Sequence, residues 1–446
     1  MDLKKRLQDE LSQHHSYQPE FHAAVEEVLN DVIEYGQENN EELFQFLERL
    51  IEPDRTLRFK IEWVDDGGVT RVNRAWRVQF NNSLGVYKGG LRFHPTCNES
   101  VLKFLGFEQI FKNALTGLSM GGAKGGSDFD PKGKSMREVQ RFCESLMTEL
   151  CKYIGADMDV PAGDIGVGTR EIAFLFGQYL KIKGSYSGVI TGKDPSFGGS
   201  CGRVEATGYG VIYLLNEALL AHDIKIKGKR VLISGAGNVA LHAAEKALEL
   251  GTLVLSLSDS KGSLHFPEGL TQNELEELKS LKIEERKRLS DWSASGSKAV
   301  YKDGCKPWEL ELNCDIILPC ATQNEVSLQD LERLLDSGVQ VVAEGANMPL
   351  TKDALELVIQ KNLIFLPGKA ANAGGVAVSG LERTQNASNV SWDLETVDTK
   401  LKDIMKRIHE NCASQLPRRD GVIPYKSSAN IYAFVKLKST MLKLWP

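Results

Sequence analysis

The sequence predicts an α/β protein of two domains, a mixed α/β first domain and a doubly wound second domain, with a cleft between them. Three observations carry that expectation. At 446 residues the chain exceeds what one hydrophobic core usually organises. A strand-like Val231-Leu232-Ile233-Ser234 runs into Gly235-Ala236-Gly237-Asn238-Val239-Ala240 and then into a helical pattern that Gly251 ends. From there to residue 366, short apolar runs alternate with helix-patterned segments, the order in which a parallel sheet is wound from both faces.

Taken in order, the first domain opens with Phe21, Val25, Val28, Leu29, Val32, Leu43, Phe44, Leu47 and Leu50 at helical spacing, interrupted near residues 36–40. Two helices of packing or subunit surface are expected. Between residues 57 and 81 the period changes to two, with Val72, Arg74, Trp76, Val78 and Phe80 alternating against Arg71, Asn73, Ala75, Arg77 and Gln79. Asp65-Asp66-Gly67-Gly68 suits the turn of a hairpin. Helices follow at about residues 100–115, 135–154 and 169–180. The Gly-rich stretch 191–202 reads as a linker, which puts the domain boundary at residues 200/201.

Two further stretches carry chemistry rather than packing. Met120-Gly121-Gly122-Ala123-Lys124-Gly125-Gly126 frames Lys124 with residues of almost no side chain, a loop whose glycines admit positive φ and close approach of a ligand. Upstream, Lys88 stands beside Gly89 and Gly90, and Gln109 and Lys112 lie three apart on one helical face. Converging ammonium groups suit a small substrate with two carboxylates, and their mutual repulsion lowers the pKa of the most buried lysine. A second Gly-rich loop, Pro161-Ala162-Gly163-Asp164-Ile165-Gly166-Val167-Gly168, supplies a carboxylate, so Lys124 and Asp164 read as a proton-transfer pair.

Composition narrows the class. The 42% hydrophobic and 26% charged content is that of an ordinary globular protein, and a net charge of −6 gives no footprint for nucleic acid or an anionic membrane. Eight cysteines lie scattered without metal-type spacing and read as reduced, mostly buried side chains; no metal is expected. No apolar run approaches a membrane span, and the N-terminus lacks an apolar signal core, so the cytoplasm is the expected location.

In the second domain, a helix over residues 203–220 precedes the G-x-G-x-x-A run. Strand before and amphipathic helix after are the context of a Rossmann-type dinucleotide fingerprint. Gly235 makes the tight turn, Gly237 admits the pyrophosphate, Asn238 and Val239 open the helix on which the phosphates sit, and Ala240 allows close packing. Strands are expected at residues 253–257, 315–318, 339–343 and 363–366, with helices at 327–335 and 351–360. At the end of the second strand stands Ser258-Asp259-Ser260-Lys261-Gly262. Asp259 would bond a ribose 2′-hydroxyl of NAD and repel a 2′-phosphate. Lys261 lies beside it, and Lys282, Arg286 and Arg288 either reach the same corner or form a solvated helix face.

These runs carry a resemblance. Residues 87–93, 103–131 and 161–168 resemble the hexameric, bacterial-type glutamate dehydrogenases of the Glu/Leu/Phe/Val dehydrogenase family, and the similarity covers nearly the whole chain. It implies reversible oxidative deamination of L-glutamate to 2-oxoglutarate and ammonium, serving ammonium assimilation and glutamate biosynthesis. Residues 1–200 would form the substrate-binding and oligomerisation domain, 201–425 the dinucleotide domain, and a last helix within 426–446 would return to the first. Lys88 and Ser379 would bind the distal carboxylate and Gln109 with Lys112 the 1-carboxylate. Lys124 would polarise the carbonyl and activate water, Asp164 would shuttle protons, and the Gly163 backbone would line the site. Thr207, Asn238 and, near the nicotinamide, Asn347 would contact the dinucleotide; the Ser258-Asp259-Ser260 pattern resembles members that use NADP, with NAD left open. The resemblance also implies a homohexamer.

Rival readings differ at named positions. A branched-chain or aromatic amino acid dehydrogenase needs an apolar residue where Lys88 stands. A dinucleotide-binding regulator without catalysis would have no need of Lys124 and Asp164 on matched loops, and a structural assembly protein would have none for the phosphate fingerprint.

Overall fold

The computed structural model describes residues 3–35, 40–293 and 296–445, which group into two compact units. The interruption expected near residues 36–40 lies outside the described residues apart from Asn40. The first unit comprises Met1–Cys201, Val378–Val397 and Asn430–Pro446, the second Gly202–Ala377 and Asp398–Ala429.

The first unit opens with helices α1 (Leu3–His14), α2 (Pro19–Tyr35) and α3 (Asn40–Ile51), followed by β1 (Arg55–Val64) and β2 (Thr70–Asn81). β1 and β2 form the expected hairpin, Asp65 accepting from the Gly67 and Val69 N–H groups while Gly68 takes φ +79°. Then come β3 (Tyr87–Phe93), α4 (Glu99–Thr116), β4 (Gly122–Ser127), α5 (Met136–Leu150), β5 (Asp159–Gly163) and α6 (Thr169–Lys183). The strands lie in the order β1-β2-β4-β3-β5, antiparallel from β1 to β4 and parallel from β4 through β3 to β5.

Alternation along the strands divides the core between two faces. Trp76, Val78 and Phe80 meet Phe107 and Phe111 of α4, Phe21 of α2 and Phe434 of the C-terminal helix. On the other face Ala75, Leu91 and Phe93 pack under α5 and α6, where Phe129 and Phe142 stack at 3.9 Å.

Two expectations need correction here. Lys124 stands on a strand, β4, and not in a loop, as Lys88 stands on β3, and none of Gly121, Gly122, Gly125 and Gly126 has positive φ. These glycines serve packing: a Cβ at Gly122 would lie 2.4 Å from Ile110 Cγ1, and one at Gly125 2.8 Å from Leu91 Cδ2. Nor is the stretch 191–202 a linker. Thr191, Lys193 and Ser200 are buried, because Lys193 pairs with Glu382 and Ser200 accepts from Gln385.

The second unit runs through α7 (Ala206–Ala221), β6 (Arg230–Ile233), α8 (Asn238–Glu249), β7 (Leu253–Asp259), β8 (Gly262–His265), α9 (Gln272–Lys279), β9 (Val300–Asp303) and β10 (Ile316–Leu318). It continues with α10 (Leu328–Asp336), β11 (Val341–Ala343), α11 (Lys352–Gln360), β12 (Ile364–Leu366), α12 (Gly368–Ala371), α13 (Gly374–Ser388) and α14 (Leu394–Ala413), and α15 (Tyr425–Leu444) ends the chain. Its sheet has the order β12-β11-β10-β6-β7-β8-β9, parallel from β12 to β7. The reversal of winding falls between β6 and β10, the place where a doubly wound sheet opens a crevice beyond its strand ends.

Three features were not expected from the sequence. β8 and β9 add an antiparallel edge to the sheet, and α7 starts at Ala206, three residues later than the helical pattern suggested. Residues Val378–Val397, assigned above to the dinucleotide domain, group with the first unit, since Glu382 and Arg383 bond Lys193 and the Ser119 carbonyl there.

Candidate active site

The register of three parallel strands builds the centre of the site. Leu91 of β3 lies between Gly125 of β4 and Gly163 of β5. Lys124 and Asp164, the neighbours of those two glycines, are therefore brought to the same stretch of β3. Lys124 Nζ lies 3.3 Å from Asp164 Oδ2. Gly90 makes room for the approach: a Cβ there would sit 2.9 Å from Asp164 Cβ and 2.8 Å from the Gly163 carbonyl. The turn after β5 is stitched to the end of β3 by Phe93 N–H donating to Ile165 O, and Gly166 takes φ +73° against the Phe93 carbonyl.

Arg92, which the sequence reading did not single out, donates from Nε to Asp164 Oδ2 at 2.7 Å. Burial is the largest influence on Asp164 and pushes its pKa up, but the charges and hydrogen bonds of Lys124 and Arg92 outweigh it and bring the value to about 2. Burial is also the largest influence on Lys124; together with Arg92 it outweighs the attraction of Asp164 and lowers the ammonium pKa. An ionised carboxylate thus touches an amine whose proton is loosened, as acid–base chemistry near neutral pH requires.

The other predicted substrate residues stand on β3, α4 and α13 of the same unit. Lys88 is fully buried and donates from Nζ to Thr191 Oγ1 at 2.8 Å. Gln109 faces β3, its Cγ 3.4 Å from where a Gly89 Cβ would stand, and donates to Asn113 Oδ1 at 2.7 Å. Asn113 in turn donates to the Lys88 carbonyl at 3.1 Å, which ties α4 to β3 at the site. Lys112 is half-buried, one turn from Gln109. Ser379 is buried on α13, where the next residue, Gly380, packs so tightly on Leu118 and Met120 that a Cβ would lie 2.5 Å from Leu118 Cδ1. Thr191 and Asn113 escaped the sequence reading because one lay in a stretch composed like a linker and the other carried no motif.

In the second unit, Gly235 takes φ +88° at the end of β6, with Ala321 Cα and the Cys320 carbonyl each 3.3 Å from a Cβ position. Gly237 caps α8 without a side-chain hydrogen bond, has open space where its Cβ would be, and is exposed together with Asn238. Those bare N–H groups at a helix start fit a pyrophosphate. Val239 packs toward Gly345, Thr207 Oγ1 lies 2.5 Å from a Gly375 Cβ position, and Asn347 Oδ1 accepts from Asn372 at 2.8 Å.

At the end of β7, Asp259 is held by contacts within its own loop region. Its Oδ1 accepts from Lys261 N–H and its Oδ2 from Leu289 N–H, both at 2.9 Å, and Lys282 Nζ lies 3.6 Å away. Burial pushes its pKa up most, but these bonds and the charges of Lys282 and Arg288 prevail and lower it. Both oxygens are thus engaged in holding the loop that carries the basic residues. Ser260 is exposed and accepts from Arg288 at 2.8 Å. A hydroxyl, an ammonium and a guanidinium at one corner fit a phosphate ester. Of the basic group, Lys282 and Arg288 take part in these contacts.

Comparison with known proteins agrees with this geometry. Residues 198–444 match the family profile described as Glutamate/Leucine/Phenylalanine/Valine dehydrogenase, and residues 53–181 match that of the Glu/Leu/Phe/Val dehydrogenase, dimerisation domain. The chain is 49% identical over 434 residues to the NADP-specific glutamate dehydrogenase of Giardia intestinalis, covering 97% of this chain and 96% of that protein. It is 50% identical over 426 residues to the NADP-specific glutamate dehydrogenase of Escherichia coli strain K12, covering 95% and 94%. The crystal structure of Plasmodium falciparum glutamate dehydrogenase superposes with a TM-score of 0.96 at 46% identity, over 100% of this chain and 95% of that one.

Proposed function

Because this chain belongs to the Glutamate/Leucine/Phenylalanine/Valine dehydrogenase family, we propose that it interconverts L-glutamate and 2-oxoglutarate plus ammonium with NADP. The observation that carries this reading is the buried Lys124 in contact with an ionised Asp164 at 3.3 Å. Lys88 and Ser379 bind the distal carboxylate, and Gln109 with Lys112 binds the 1-carboxylate. A fully buried ammonium at Lys88 favours a carboxylate partner over an apolar side chain, which argues against the branched-chain and aromatic alternatives. The Gly163 backbone lines the site. Lys124 polarises the substrate carbonyl and activates the attacking water; Asp164 carries protons to and from the amine.

Gly235, Gly237, Asn238 and Val239 hold the pyrophosphate, Thr207 contacts the dinucleotide, and Asn347 lies near the nicotinamide. Ser260, Lys282 and Arg288 hold the 2′-phosphate, with Asp259 fixing their loop. When bound, NADP supplies the nicotinamide that takes or gives a hydride at the substrate's Cα. A spectrophotometric assay of 2-oxoglutarate plus ammonium, run with NADPH and NADH side by side, tests reaction and cofactor together. Turnover with NADPH well above NADH is expected; no turnover with either overturns the reading.

The assembly is a homohexamer in the cytoplasm that serves ammonium assimilation and glutamate biosynthesis. Support comes from the resemblance to hexameric members and from the match to a dimerisation domain. All eight cysteines are free, as a reducing compartment requires, and no helix among the described residues is long and apolar enough to cross a membrane. Light scattering on the eluted peak of a sizing column tests the hexamer.

A further inference from the structure

Besides Lys124 itself, two cations bear on the acid–base pair, and neither has a chemical role in the reading above. Lys124 enters from β4. Arg77 enters from β2 on the opposite face of the sheet, where it is fully buried and pairs with Asp159 of β5. Arg92, on β3, is the one that bonds the same carboxylate oxygen as Lys124. Cys97 is a further titratable neighbour, whose thiol burial pushes up to about 11, so it stays neutral.

Arg92 is placed with little freedom. Its strand position pairs with Gly126, its carbonyl accepts from the Cys97 thiol, and the adjoining Phe93 fixes the turn that carries Asp164. With Oδ2 engaged by Arg92 and Lys124, Asp164 Oδ1 accepts no hydrogen bond among the described residues.

We propose that Arg92 is a positioning residue for proton transfer: its Nε holds Asp164 Oδ2 so that Oδ1 is presented to the substrate nitrogen beside Lys124 Nζ. A proton leaving the substrate's ammonium is received at Oδ1, which becomes the O–H of the neutral acid, while Oδ2 remains bonded to Arg92. The guanidinium also repels the proton on Lys124 and favours the charged form of Asp164, so one side chain biases both partners in the same direction. This inference rests on the reading of Lys124 and Asp164 as the acid–base pair.

The test compares the intact protein with Arg92→Gln and Arg92→Lys. For oxidative deamination of L-glutamate, Arg92→Gln should move the acid limb of the kcat/KM profile about one pH unit upward. The limb is that of Lys124, whose proton Arg92 repels, so the variant loses about tenfold at pH values below the limb and recovers above it. An arginine that merely supports the fold would lower activity equally at every pH and leave the limb in place, which overturns the proposal. Arg92→Lys keeps the charge without the fork, so its limb should stay while kcat falls; an unchanged kcat also overturns it.

A second readout needs no turnover. The pH midpoint for acetylation of Lys124 by acetic anhydride, followed by mass spectrometry, should rise in Arg92→Gln, and an unmoved midpoint counts against the proposal. If the native protein fails to turn over glutamate, the functional reading falls on its own, while the labelling experiment still decides what Arg92 does. Should Arg92→Gln not fold, Arg92→Lys carries the decision.

Discussion

Lys193 and Glu382 lie 189 positions apart in the chain, yet the ammonium and the carboxylate meet at 2.7 Å with both side chains sealed from solvent. Glu382 also accepts from the Gly192 and Lys193 N–H groups, and Lys193 donates to Asn386 Oδ1 and the Ile190 carbonyl. The pair thus fixes both neighbours of Thr191, the residue that receives Lys88. Glu382→Gln leaves a buried ammonium without its counter-charge and should cost about 3–5 kcal/mol. Urea unfolding measures this, and a loss below about 1 kcal/mol would show that the cluster relaxes freely.

Lys124→Ala should abolish turnover and leave NADP binding, read by fluorescence, intact; activity within about tenfold of native would refute the catalytic role. Asp164 keeps its bond to Arg92 in this variant, so the carboxylate is not orphaned. Because the folded-state pKa of Lys124 lies below its ordinary value of 10.5, the unfolded chain binds the proton more readily. Lys124 therefore costs stability at low pH, a cost relieved as pH rises through its depressed value. Urea midpoints should rise between neutral and alkaline pH by more in the native protein than in the variant.

Lys88→Leu removes the cation from a position already closed to solvent. The ratio of kcat/KM for glutamate over norvaline should fall by at least about a hundredfold, the scale of losing a buried charge partner. An unchanged ratio would move the distal-carboxylate site elsewhere.

Lys282→Glu puts a like charge beside a bound phosphate ester and beside Asp259, 3.6 Å from the present ammonium. KM for NADPH should rise at least about tenfold, with KM for NADH changed far less. Equal effects on both cofactors would mean that the corner supports the loop and reads no phosphate.

The sequence made the dinucleotide-binding half legible because its signals are local: a strand, two glycines and a helix lie within some twenty residues. It also marked Lys88, Lys124 and Asp164 as special by their glycine surroundings, but misjudged the reason. Glycine in β4 relieves crowding from α4 and the neighbouring strands, a tertiary effect with no local trace. Thr191 and Glu382 were illegible for a related reason, since their importance lies in partners far along the chain. Asp259 shows what a motif leaves out: besides the role its residue type suggests, it bonds the Lys261 and Leu289 N–H groups, contacts with no trace in the motif.

The glycines at positions 90, 122 and 125 leave the floor beneath Lys124 without space for one more carbon. Anyone seeking to retune this pocket by mutagenesis therefore has few options along the sheet itself. Productive libraries should vary α4 instead, at the half-buried Gln109 and Lys112, and leave Asn113, which ties that helix to β3, in place.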